Sequence, residues 1–166
     1  MAATGTPDRS ARWWPARPPV DLAEGTLAEV DAIDLVALRR TVLRDGRADL
    51  PASYPFDAEA SSLHLGVVTS EGTPVGGVTV VVDPLPGFAT LRLVLMAVDP
   101  AVQGRGVGRH LVLAVQERAA VAGFAVWAAS RVSALDFYTG LGFRARGDVY
   151  VGPMDLPHRH VLWPPR

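Results

Sequence analysis

The strongest pattern along the chain is the run from Leu91 to Val98, which is apolar on both alternating faces except at Arg92. An edge strand would alternate apolar and polar, so this run belongs at the centre of a sheet with cover on each side. Strand-like runs at Leu63 to Thr69, Val75 to Asp83 and Thr90 to Val98 are separated by Glu71-Gly72-Thr73-Pro74 and Pro84-Leu85-Pro86-Gly87. That spacing predicts an antiparallel meander. Downstream, Val107, Leu111, Val115, Ala119 and Ala122 recur every three or four residues, predicting a helix with one buried face that Gly123 ends. Phe124 to Ala129 is again strand-like, so the chain makes a strand, helix, strand crossover and this strand is expected to pair parallel to Leu91–Val98. A short helix from Ser133 to about Leu141 and strands at Phe143 to Val151 and His160 to Trp163 complete the second half.

The first half reads less sharply. Thr26 to Val30 forms a short first strand, and Asp34 caps a helix from Leu35 to about Arg44 whose apolar positions are Leu35, Leu38, Val42 and Leu43. Arg39 and Arg40 are expected to be solvated. Arg47 to Ser62, with two prolines, Tyr54, Phe56, Asp57 and Glu59, is a loop or an irregular second helix, and either faces substrate or fills space. Residues 1–20 show no periodicity and are expected to be a disordered or loosely docked tail, with Trp13 and Trp14 resting on the single domain of residues 21–166.

Composition narrows the chemistry. With 166 residues and 49% hydrophobic content, one well-covered core is the simplest arrangement. The formal charge of -1 with scattered basic residues gives no electrostatic footprint for nucleic acid. No lysine and no cysteine occur, so a P-loop lysine, Schiff bases, thiol nucleophiles, thiolate metal sites and disulfides are excluded, and no metal is expected. No apolar run approaches the roughly 20 residues of a membrane span, nor does the N-terminus resemble a signal peptide, so stable membrane association is not expected and a cytoplasmic location is.

The strand from Leu91 runs through Asp99-Pro100 into Gln103-Gly104-Arg105-Gly106-Val107-Gly108-Arg109 at the start of the helix. Three residues without Cβ allow successive backbone N–H groups to point at an anion beside the first helical turn, and phosphate suits such a place. Arg105 and Arg109 either add charge or are solvated. The spacing GxGxG is not that of a dinucleotide fingerprint, and no acidic residue ends the next strand. Walker-type chemistry lacks its Lys and Ser/Thr.

Gln103 to Gly108, with the Val98-Asp99-Pro100 lead-in, resembles the Gln/Arg-x-x-Gly-x-Gly/Ala signature of the GCN5-related N-acetyltransferase (GNAT) family. Ala134-Leu135-Asp136-Phe137-Tyr138-Thr139-Gly140-Leu141-Gly142-Phe143 is similar to that family's Ala-x-x-Phe-Tyr-x-x-x-Gly-Phe helix, and Leu156-Pro157-His158 to the Ile-Pro-His ending of small bacterial members. The resemblance covers about Leu63 to Trp163 in family order. It implies an α/β (α+β) fold with a mixed, mostly antiparallel sheet of about six to seven strands, helices on both faces and a splayed parallel strand pair at the site of acetyl-CoA.

It also implies transfer of an acetyl group from acetyl-CoA, as co-substrate, to a primary amine by direct attack through a tetrahedral intermediate. Gln103, Gly104, Arg105, Gly106, Val107, Gly108 and Arg109 would bind the pyrophosphate, and the backbone of Met96, Ala97 and Val98 the pantetheine arm and acetyl carbonyl. An N–H near Val98 would stabilise the oxyanion. Tyr138 takes the place of the family's general acid, since a phenol stays protonated at neutral pH. Arg131 stands where many members have an Asn that touches the cofactor, and either reaches a phosphate or forms a surface pair.

The base is the least determined role. The central strand carries no acidic residue, leaving His158, His64, Asp57 and Glu59, of which His158 matches the Pro-His ending, and histidine is the residue type suited to proton transfer near neutral pH. His110 and His160 are expected at the surface. Arg92, a charge in an apolar strand, needs a partner or a wet cleft: either a substrate carboxylate, with His64 and Asp57 as companions in the acceptor site, or Asp83 across the sheet. The acceptor is a small-molecule or peptide amine, and the family resemblance allows a homodimer. The rivals are an acyl-CoA-binding regulatory module without turnover and a nucleotide-binding protein.

Overall fold

In the computed structural model, residues 5–164 are described; residues 1–4 of the expected tail and residues 165–166 lie outside them. Eight strands form one sheet in the order β1-β2-β3-β4-β5-β6-β8-β7. They are β1 (Val20–Leu22), β2 (Gly25–Glu29), β3 (Leu63–Val68), β4 (Pro74–Leu85), β5 (Ala89–Val98), β6 (Val126–Arg131), β7 (Arg144–Val151) and β8 (Pro157–Trp163). The helices are α1 (Ala32–Leu43), α2 (Val107–Ala122) and α3 (Leu135–Gly140). The meander of β3, β4 and β5 is antiparallel, and β5 pairs parallel with β6, as the crossover requires.

The sheet is wider than the six to seven strands expected. Val20–Leu22 turns back on Gly25–Leu27 as an edge hairpin too short to leave a periodic signal. The last strand inserts between β6 and β7 and pairs antiparallel with both. Helix α1 begins at Ala32 with Asp31 at its N-cap, and Asp34 sits in its first turn. The reason is tertiary: β2 leaves its register with β3 at Glu29–Leu65, and Val30 donates to the His64 carbonyl, so the chain can turn into helix at once.

Side chains alternate between two faces, and the helices divide them. A Cβ on Gly76 would meet Val107 at 2.5 Å and Leu111 at 3.2 Å, whereas a Cβ on Gly77 would meet Leu35 at 2.7 Å. Thus α2 packs on one face and α1 on the other, each so close to β4 that only glycine fits beneath it. On the α2 face, Leu63, Leu65, Val78, Val80, Leu91 and Leu93 are buried against Val107, Leu111, Val112 and Val115. Each such side chain contributes about 1.5–3 kcal/mol. Residues 5–19 carry no helix or strand, yet Trp14 is buried and donates to Glu29, and Trp13 donates to the Ser61 carbonyl.

Arg39 is not solvated. It is among the largest fully buried side chains and forms a two-pronged ion pair with Asp57, at 2.8 and 3.1 Å. It also donates to Thr79 Oγ1 at 2.8 Å and to the Ala52 carbonyl at 3.2 Å. Helical periodicity alone put an arginine on this inward position, and the loop after α1 supplies the counter-charge.

Candidate functional site

The parallel ladder between β5 and β6 stops after Leu93 and Ala128. Beyond that point the two strands diverge, and a cleft of about 860 Å³ opens between them. Its walls are the second half of β5, the end of β6 from Ala128 to Arg131, the Gln103–Arg109 loop, Phe137 and Tyr138 of α3, His158 of β8, and Val42, Leu43, Arg44, Tyr54 and Phe56.

A β-bulge shapes the floor. Gly77 pairs with Ala97 and Thr79 with Val94, so two steps along β4 match three along β5. Leu95 absorbs the extra residue at φ 56°, a left-handed conformation that costs a non-glycine residue about 1–3 kcal/mol. Leu95 and Met96 consequently have no partner in either neighbouring strand, which frees backbone groups at the cleft. Val98 pairs with Gly76 of β4 but, like Val94 to Ala97, has no partner in β6.

At the other end, Gly104 (φ 78°) and Gly106 (φ 87°) take left-handed conformations, and Gly106 is the N-cap of α2. A Cβ on Gly104 would meet nothing within 4 Å, so the requirement there is conformational and the loop surface is open. The first N–H groups of α2 have no acceptor within the helix and its dipole favours an anion. The loop is braced by Gln103, whose side-chain amide donates to the Val98 carbonyl at 2.9 Å. Open amides, a helix N-terminus and a slot leading from them fit a phosphate-bearing chain molecule such as CoA. Of the expected binding residues, Met96, Val98, Gln103, Gly104, Gly106, Val107, Gly108, Arg109 and Arg131 line the cleft. Ala97 is buried outside its lining and Arg105 is exposed outside it.

Tyr138 is buried among aromatic rings, Phe137 at 5.0 Å and Phe143 at 5.3 Å, and lines the cleft. Burial pushes its phenol pKa well above the ordinary value, so the side chain stays protonated at neutral pH. His158 is buried at the cleft wall, and its Nδ1 lies 2.8 Å from the Leu156 carbonyl. A carbonyl only accepts, so Nδ1 carries the proton, leaving Nε2 of the neutral ring with a free lone pair. Gly152 packs under this ring so tightly that a Cβ would stand 2.4 Å from Nδ1.

His64 and Asp57 are elsewhere. His64 Nε2 donates to the Asp57 carbonyl at 3.2 Å and Nδ1 accepts from Thr79 at 2.8 Å, which holds the ring neutral with both nitrogens occupied. Burial, first, lowers its pKa. Asp57 is committed to Arg39 and to the Tyr54 N–H. Neither lines the cleft; both belong to the buried network beneath α1, and Glu59 pairs with Arg9. Arg92 lines the cleft but is held by Asp83 at 3.0 Å and lies over the Trp127 ring at 4.6 Å, the cross-sheet alternative.

Sequence reasoning did not single out Arg44, and left Tyr54 and Phe56 in a segment with two readings. The two rings stack at 5.1 Å and form the cleft wall opposite β5. Among the described residues, no cluster of His, Asp or Glu is arranged to hold a metal ion, and no helix is long and apolar enough to cross a membrane.

A family model described as an acetyltransferase (GNAT) domain matches residues 61–145, just over half of the chain. The fold is similar to that of an acyl-CoA N-acyltransferase from Pseudomonas aeruginosa, with 18% identity, 82% of this chain and 97% of that one covered, and a TM-score of 0.69. It is also similar to Escherichia coli ElaA, at 16% identity, 82% and 97% coverage and a TM-score of 0.70. An aminoglycoside 6'-N-acetyltransferase complexed with coenzyme A gives 16%, 84% and 98%, and 0.66. At these identities the likeness is one of fold. No curated protein matches the chain significantly.

Proposed function

The chain belongs to the acetyltransferase (GNAT) domain family, and from that premise we propose that it transfers an acetyl group from acetyl-CoA to a primary amine by direct attack. The observation that carries this reading is the continuity of the splayed β5–β6 cleft with the open amides at the start of α2 and with the Tyr138 side chain. Acetyl-CoA supplies the activated thioester; the protein supplies position and proton transfers.

The amides from Gly104 to Gly108 hold the pyrophosphate, with Arg109 and Arg131 adding charge to the same end of the cleft. The backbone of Leu95 and Met96, released by the bulge, aligns the acetyl carbonyl and offers an N–H to the oxygen on which charge develops. Tyr138 gives its proton to the departing sulfur, a role its place on the cleft wall supports. His158 accepts the proton of the incoming amine at Nε2, directly or through water, while the Leu156 carbonyl keeps the ring in the competent tautomer.

Thiol release measured over an amine panel tests the proposal. Tyr138→Phe is expected to lower kcat by about a hundredfold or more, the size of a general-acid contribution, with little change in KM for acetyl-CoA. Unchanged turnover would remove Tyr138 from the mechanism. Tight acetyl-CoA binding with no thiol release for any amine would make the protein an acyl-CoA-binding module.

A further inference from the structure

Building on that acetyltransferase reading, we infer that the acceptor is an amine that also carries a carboxylate on a largely apolar skeleton, and that Arg44 receives the carboxylate. The charged side chains lining the cleft are Arg44, Arg92, Arg109 and Arg131, and no Asp or Glu lines it. Arg109 stands in the first turn of α2 beside the glycine loop and Arg131 at the end of β6, and the proposed reading gives both to the phosphates. Arg92 already has Asp83 at 3.0 Å. Arg44 stands apart: its Nε donates to the Pro51 carbonyl at 3.0 Å, Nη1 to the Leu43 carbonyl at 2.9 Å, and Nη2 to the Tyr54 hydroxyl.

All three of those partners are neutral. Among the described residues Arg9, Arg12, Arg17, Arg39, Arg47, Arg92 and Arg118 each have a carboxylate within ion-pair distance; of the arginines lining the cleft, Arg44, Arg109 and Arg131 have none, and Arg44 is the one braced by three neutral oxygens. A guanidinium has five N–H donors, so two remain, held on a pre-shaped fork by the three bonds already made. An uncompensated cation in a cleft wall attracts an anion and repels an ammonium. The surroundings of Arg44 in the cleft are Val42, Leu43, Tyr54 and Phe56, which leave the rest of the acceptor an apolar surface.

In the transfer, the amine nitrogen bonds to the acetyl carbon and loses one proton to the base, the C–S bond breaks with its electron pair on sulfur, and the sulfur takes one proton from the acid. The products are an N-acetylamino carboxylate and CoA, and the carboxylate itself is unchanged.

The probes are phenylalanine with phenylalaninamide, leucine with leucinamide, and putrescine. Each is assayed for thiol release with acetyl-CoA and, separately, for binding by calorimetry to the protein saturated with CoA, which needs no turnover. The carboxylates are expected to exceed their amides by about tenfold or more in kcat/KM and in affinity, as a site built around one polar group discriminates. Arg44→Gln is expected to level each pair with CoA affinity unchanged. Amides or putrescine binding as well as the carboxylates, or no binding by any probe, overturns the inference. Since the wild-type comparison suffices, a poorly folded variant does not shield it. Carboxylate-selective binding without thiol release would sustain the inference and sink the acetyl-transfer reading; thiol release without carboxylate preference would do the reverse.

Discussion

Replacing Asp57 with Asn isolates the buried cation beneath α1. Arg39 is 1% exposed, and its guanidinium is matched by two bonds to Asp57, with further bonds to Thr79 and the Ala52 carbonyl. The Asn side chain keeps one acceptor oxygen and removes the charge, so an arginine that cannot reach water is left without a counter-ion. Breaking a buried pair from one side costs about 3–5 kcal/mol, because the remaining charge stays desolvated. Against a total stability of about 5–15 kcal/mol this is a large fraction. For a chain of this size it corresponds to a fall in Tm of about 6–20 °C.

Urea denaturation followed by circular dichroism measures the cost, and the double variant Arg39→Met with Asp57→Leu completes the cycle. The double variant is expected to recover most of the loss, since neither buried charge remains. The pair also has a functional reach. Asp57 accepts from the Tyr54 N–H, and Tyr54 and Phe56 form the cleft wall, so Asp57→Asn is expected to raise KM for the amine more than KM for acetyl-CoA. A loss below about 1 kcal/mol, the level of an exposed pair, would refute the reasoning, as would a double variant no more stable than Asp57→Asn.

Three other outcomes follow from close contacts and burial. Gly76→Ala places a Cβ 2.5 Å from Val107 at the start of α2, so it should destabilise by about 1–3 kcal/mol in a thermal melt and weaken CoA binding in calorimetry. Gly152→Ala drives a Cβ into the His158 ring, so kcat with the amine should fall about tenfold or more in the thiol-release assay while CoA affinity stays unchanged in calorimetry. Burial lowers the His64 pKa below its unfolded value of 6.5, so the unfolded state binds the extra proton first. Its stability contribution is complete above about pH 6.5 and is lost as pH falls toward the folded pKa; urea titrations from pH 7.5 to 5 should show that slope, reduced in His64→Gln.

The meander, the crossover and the glycine loop were legible in the sequence because each rests on local physics. Alternation with a period of two, helical recurrence from Val107 to Ala122, and the conformational freedom of Gly104 and Gly106 act over a few residues and need no distant partner. The Phe137-Tyr138 pair could be assigned to the same site as the glycines because its resemblance to a family motif carried information about three-dimensional placement. Charges and histidines were not legible in this way. Arg39 and Arg40 are adjacent and identical, yet one is sealed against Asp57 and the other donates to the Arg47 and Leu50 carbonyls. His64 and His158 are both buried, but only the first has each ring nitrogen engaged. Arg44 has no motif at all, and gains its place because the loop after α1 folds back and offers it only neutral oxygens. The solvation of an ionisable group depends on every element packed around it, which is a property of the assembled sheet and helices: the sequence by itself determined the frame and the glycine loop that opens α2, and only the tertiary structure decided which charges face the cleft.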